Sequence, residues 1–145
     1  MQFSDLLQNK LVVNSLAAWA AAQVIKTIIY AFAHKDLDWE RLFGDGGMPS
    51  GHSATVTALA VTAAVEYGLS SGIFAVAAIL AIVVMHDAMG VRLEAGKHAK
   101  ALNALMDLVS SDLSPDDKLK ELLGHTPLQV LLGAALGLVM ALILP

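Results

Sequence analysis

Cysteine is absent from the 145-residue chain, so no disulfide framework, thiolate nucleophile or cysteine-ligated metal belongs to it. Charge is also scarce. Only 15% of the residues are charged against 57% hydrophobic, with a mean hydropathy of +0.65, whereas soluble domains run near about 25% charged and about 45–50% apolar. That balance argues against an ordinary water-soluble fold. Basic residues are the scarcer sign, 9 against 13 acids for a net charge of −4, so the chain lacks the positive field that nucleic-acid binding needs, and a nucleic-acid partner is disfavoured. The polar start, Met1 to Lys10, lacks the basic region, short apolar core and small-residue cleavage site of a signal peptide. The first apolar segment is therefore expected to stay in the mature protein.

What is present is long apolar sequence, with nearly all of the charge gathered into two segments, roughly 34–52 and 86–121. Leu11 to Ala33 is interrupted only by Lys26, and about 20 apolar residues suffice to cross a bilayer. A turn-rich connection from His34 to Ser50 follows. Ser53 to Tyr67 and Gly72 to Met85 are two shorter apolar runs around the turn Gly68-Leu69-Ser70-Ser71, and Leu128 to Leu144 is a last one, entered through Thr126-Pro127. Between them, Leu102, Leu105, Met106 and Val109 recur at helical spacing opposite Lys100, Asn103 and Asp107, the pattern of an amphipathic helix lying at a membrane interface. Ser114-Pro115-Asp116-Asp117 reads as a further helix start. The expectation is an all-α, single-domain integral membrane bundle over 1–145, with about four transmembrane helices and an interfacial helix. Gly133 and Gly137, a small-xxx-small pair, suit close packing and leave room for a homo-oligomer.

Four spans put both long loops on one membrane face. That face carries Lys35, Arg41, Arg92, Lys97, Lys100, Lys118 and Lys120, and the other carries only Lys10. The Lys/Arg excess marks the cytoplasmic side, so the expected location is the cell membrane with these loops in the cytoplasm.

The few polar residues near that face are chemically suggestive. Gly46-Gly47-Met48-Pro49-Ser50-Gly51-His52-Ser53 leads from glycines into a helix, whose first N–H groups and positive dipole end suit an anion such as phosphate. His52 there is placed to protonate a leaving oxygen. Gly124-His125-Thr126-Pro127-Leu128-Gln129 repeats the arrangement, with Gln129 one helical turn after His125. Lys26 is a cation inside an apolar span, which is costly unless it reaches the interface or a partner. Arg92 offers a planar fork for phosphate oxygens, with Asp87 able to orient a histidine or to pair with Arg92. Each feature alone also reads as ordinary structure. Together, Lys26, His52, Arg92 and His125 converge from four helices on one face.

Met48-Pro49-Ser50-Gly51-His52-Ser53-Ala54 resembles the Pro-Ser-Gly-His signature of the type-2 phosphatidic acid phosphatase superfamily, which includes the vanadium-dependent haloperoxidases. The whole chain looks like that superfamily's small divergent membrane branch, through this motif, Asp87-Ala88-Met89-Gly90-Val91-Arg92 and Leu123-Gly124-His125-Thr126-Pro127. The resemblance implies that Lys26, Ser50, Gly51 and Arg92 hold a phosphate, that His52 is the general acid and that His125 attacks phosphorus to give a phosphohistidine. This chain departs from the pattern in three ways. The first motif's Arg-Pro is missing, with Arg41 a loose stand-in. Spacing after Arg92 nominates His98 as the nucleophile, although His125 is the one that heads a membrane helix. Gln129 stands where the superfamily has an orienting Asp, a role that Asp87 would otherwise have to fill.

The resulting expectation is a membrane phosphatase, without metal or cofactor, acting on a phosphorylated lipid, with membrane lipids around it. No compact set of His and acid ligands is visible for a metal. A non-catalytic protein that binds phosphorylated head groups or scaffolds a complex is the alternative. A transporter is less favoured, because matching inverted halves are not evident.

Overall fold

The computed structural model of the chain describes residues 3–35, 47–109, 118–119, 121 and 124–144. Among them the regular structure is entirely helical: α1 Phe3–Leu7, α2 Lys10–His34, α3 Gly51–Tyr67, α4 Gly72–Met89, α5 Val91–Val109 and α6 Pro127–Ile143. Arg41, Lys120 and the Ser114-Pro115 helix start lie outside the described residues. Four of the helices begin at side-chain caps. Asn9, Ser50, Ser71 and Thr126 each turn an oxygen onto a first-turn N–H of α2, α3, α4 and α6, satisfying donors that have no partner within the helix.

Three boundaries differ from the apolar runs. The chain opens with the short α1. Helix α3 starts at Gly51 rather than Ser53, because Ser50 caps it, and this puts His52 in its first turn. Helix α4 runs past Met85 to Met89 and is followed at once by α5, since Gly90 N–H donates to the His86 carbonyl while the Gly90 carbonyl accepts from Glu94. The polar residues of that region therefore stand on helix.

Helix α3 is the centre of the bundle, packed by α2, α4 and α6, and α2 also meets α6. The contacts give the directions. Asn14 Nδ2 donates to Thr62 Oγ1 at 3.2 Å near one end of the α2–α3 pair, and Gly51 lies by Trp19 and Gln23 near the other, so these helices are antiparallel. Helices α3 and α6 are parallel, because Gly133 sits on Ser50 and Ser53 while Gly137 sits on Ala54 and Ala58. A Cβ on either glycine would fall 2.3 Å from a carbonyl oxygen of α3, so only glycine permits this approach. The Gly133/Gly137 face, expected to leave room for oligomerisation, is thus covered by α3 of the same chain.

The packing is inside-out relative to a soluble protein. The core is small: Ala18, Ala22, Ala54, Ala58 and Ala141 in one cluster, and Val56, Ala60, Ala63, Ala77 and Ala81 in another. The large side chains face outward, with Val76 71% and Leu131 66% exposed. In water each such side chain would forgo about 1.5–3 kcal/mol of burial. In lipid they are solvated, and small residues let the helices approach closely. This is a small helical membrane bundle. Helix α2 and the continuous α4–α5 are long and apolar enough to cross a membrane, and α6 is apolar but shorter. The 17 residues of α3 and of α6 reach about 26 Å at about 1.5 Å per residue, near the lower limit for a span.

Among the helices, α5 touches only α4. Asn103, expected on an outer polar face, points inward. Its amide donates to the Leu119 carbonyl and Glu121 Oε1 and accepts from Leu119 N, each at 2.9 Å. Lys118 pairs with Asp107 at 2.9 Å. Of the expected apolar stripe Leu102, Leu105 and Val109 are exposed, with Leu108 beside them, and Met106 is half-buried. Lys97 beside Glu94 holds that carboxyl below the usual carboxylate range through a hydrogen bond and its charge.

Candidate active site

The antiparallel and parallel pairings bring four helix ends together: the second half of α2, the first turns of α3 and α6, and the last turn of α4. Two helix N-termini thus point their positive dipole ends into one region. Three connections fix it. Ser50 N–H donates to the Gln129 carbonyl at 3.0 Å, tying α3 to α6, and His125 N–H donates to the Ala88 carbonyl at 2.9 Å, tying α6 to α4. Gly124, at φ +79°, lies so close to the Arg92–Leu93 backbone that a Cβ would come within 2.3 Å of Leu93 N. The chain before His125 is therefore seated on the α4–α5 junction.

At the head of α3, Ser50 and Ser53 are fully buried. The Ser50 hydroxyl accepts from Ser53 N–H at 3.3 Å and from the Ser53 hydroxyl at 3.0 Å. This fixes the cap and leaves Gly51 N–H without a partner among the described residues, a donor of the kind that receives a phosphate oxygen. A Cβ on Gly51 would meet Trp19 Cδ1 at 3.4 Å and Gln23 Oε1 at 3.6 Å, which places α3's first turn beside the polar part of α2.

Lys26 does not snorkel to solvent; it is 5% exposed. Its ammonium donates to Gln23 Oε1 at 2.7 Å, and Gly47, at φ +83°, lies over its methylenes, with a built Cβ 3.1 Å from Lys26 Cγ. Gly47 thus covers the lysine stem, at a conformation that only glycine adopts freely. Gln23 was not singled out in the sequence, and Gly47 only as part of the glycine lead into α3. The available signal for Gln23 was its polarity in an apolar span three residues before Lys26.

The rings of His52 and His125 lie 5.9 Å apart between centroids, inclined at 56°. His125 is 3% exposed, and its Nδ1 is 3.3 Å from Gln129 Oε1. Asp87 instead accepts from Arg92 Nε at 2.8 Å, in a pair whose arginine side chain is 50% exposed. Of the two acceptors weighed for His125, the one at its ring is therefore Gln129. His98 is exposed on α5. The fold groups His52, His125, Ser50 and Gly51 at the heads of α3 and α6. Lys26 stands beside them through Gln23, and Arg92 through the Gly124 contact. Among the described residues no cluster of three or more His, Cys, Asp or Glu suits a metal.

Residues 7–140 match the sequence profile described as the divergent PAP2 family. The chain is 43% identical over 152 residues to an uncharacterized membrane protein, YuiD, of Bacillus subtilis (strain 168), covering 97% of this chain and 96% of that one. No solved structure matches the chain.

Proposed function

This membrane protein belongs to the divergent PAP2 family, and we propose from that premise that it is a phosphatase of phosphorylated lipids, working through a phosphohistidine on His125. The observation that carries the reading is the His52–His125 pair, 5.9 Å apart, beside the Ser50-Gly51 helix head. One ring attacks phosphorus and the other serves the leaving oxygen. Gly51 N–H and the dipoles of α3 and α6 receive the phosphoryl oxygens, and Lys26 and Arg92 supply positive charge. His52 protonates the departing oxygen, then takes a proton from the water that hydrolyses the phosphohistidine. Phosphatidic acid, phosphatidylglycerol phosphate and polyprenyl diphosphate each carry a head group of suitable charge. The Lys/Arg-rich loops support a site facing the cytoplasm at the cell membrane.

The test is phosphate release by the purified protein in lipid nanodiscs from those three lipids. His125→Ala is expected to lower it at least about 1,000-fold and His52→Ala about 100-fold or more, with an acid-labile phosphoenzyme trapped only when His125 is present. Lipid binding without any release would instead identify a head-group-binding protein.

A further inference from the structure

We infer that the end of the bundle opposite the histidines is a second binding site, and that it takes the head group of a zwitterionic phospholipid bearing a primary ammonium. The inference stands apart from the phosphatase reading and uses none of its residues.

The first turns of α2 and the last turns of α3 and α6 build this site. Antiparallel α2 and parallel α6 bring those ends together beside α3, around a cavity of about 250 Å³. Its polar lining comes in two tiers, one helical turn apart. At the open rim, Lys10 Nζ donates to Glu66 Oε1 at 3.1 Å. One turn further in, Asn14 Nδ2 donates to Thr62 Oγ1 at 3.2 Å, and these two residues are only 3% and 2% exposed. With Nδ2 spent on Thr62, the Asn14 amide oxygen has no partner among the described residues. An acceptor buried and unpaired is costly, and a donor that enters the cavity relieves that cost.

The charges select the ligand. A purely anionic group on Lys10 would stand against the Glu66 carboxylate, and a purely cationic one against Lys10. A head group with both signs exchanges one exposed pair, of a kind that is held weakly, for two. Its phosphate pairs with Lys10, and its ammonium enters between Glu66 and the Asn14 oxygen. The helix ends agree with this order. Helix α2 starts at Lys10, its positive dipole end favouring the phosphate, whereas α3 and α6 finish here, and their negative ends and last carbonyls favour a cation. A primary ammonium brings three N–H donors to these oxygens, and the quaternary ammonium of choline brings none.

The size and place of the cavity argue for a lipid. It is smaller than the about 300–1,000 Å³ of pockets that enclose whole small ligands. It opens beside Val65 and Leu142, exposed side chains of α3 and α6 along which acyl chains can lie in the bilayer.

The experiment is native mass spectrometry of the full-length protein in non-ionic detergent, titrated with phosphatidylethanolamine, phosphatidylcholine and phosphatidylglycerol of the same acyl chains. Wild type should bind phosphatidylethanolamine at least about tenfold more tightly than either other lipid. Asn14→Leu, which puts an apolar side chain of similar size in place of the amide, should lose about tenfold in that affinity alone. Glu66→Gln, at an exposed pair from which the fold gains little, should lose as much while binding phosphatidylglycerol more tightly, a reversal that loosening of the bundle would not produce. Equal affinity for phosphatidylethanolamine and phosphatidylcholine, or an unchanged preference in either folded variant, would overturn the inference. Displacement of the lipid by an equal concentration of soluble glycerophosphoethanolamine would overturn the assignment to a lipid. Because the readout is binding, it is independent of phosphate release.

Discussion

Lys26 and Gly47 show how single residues trade stability for a site. A buried ammonium that donates to the Gln23 amide oxygen has given up its hydration, and replacing buried charge with an apolar side chain of like volume is often neutral or stabilising. Lys26→Met is therefore expected to leave the melting temperature unchanged or raised while phosphate release falls about 100-fold, measured on the same nanodisc preparation. A drop in melting temperature would show that the lysine serves the fold. Gly124 carries the opposite balance. At φ +79°, with a built Cβ 2.3 Å from Leu93 N, it faces backbone that cannot swing aside. Gly124→Ala should cost about 2–4 kcal/mol in unfolding measurements and displace His125.

At the scale of elements, the decisive contact is α6 on α3. Parallel packing through Gly133 and Gly137 aligns the two helix heads, and the Ser50–Gln129 hydrogen bond sets how far one stands from the other. Pushing the helices apart anywhere along this seam should separate His52 from His125. Gly137→Ala, with its Cβ 2.3 Å from the Ala54 carbonyl oxygen, is expected to destabilise the protein by about 1–3 kcal/mol and to lower phosphate release although no site residue is changed. Ala135→Leu, on the exposed side of α6, is the control and should do neither. Helix α5 contributes differently. Its inward Asn103 anchors residues 119 and 121, and its leucines face out, so it joins the bundle at α4 without entering the core. The exposed Lys97–Glu94 pair adds little to stability.

At the scale of the whole molecule, the bundle has two unlike ends. One gathers the histidines, Lys26 and Arg92. The other holds Lys10 paired with Glu66 at 3.1 Å near the turn before α4. Under the positive-inside rule the proposed orientation puts the histidine end in the cytoplasm. Single cysteines placed at Ser70 and at Lys97, in a chain that has no other thiol, should react with an impermeant reagent in intact cells only at position 70. Labelling at position 97 from outside would reverse the orientation.

The sequence alone determined the membrane class, the number of principal helices, the helix start at Thr126-Pro127 and the histidines worth watching. Those properties are local: run length, cap chemistry and motif spacing act within a few residues along the chain. Tertiary structure decided what depends on residues distant in sequence. It seated Gly47 on Lys26 and Gly124 on the Arg92–Leu93 backbone. It brought the His52 and His125 rings together and spent the Gly133/Gly137 face on α3. No periodicity encodes such pairings, because they follow from how closely alanines and glycines let four helices approach. The residues that form the site are legible one at a time, and only the packing of α3 against α2, α4 and α6 makes them neighbours.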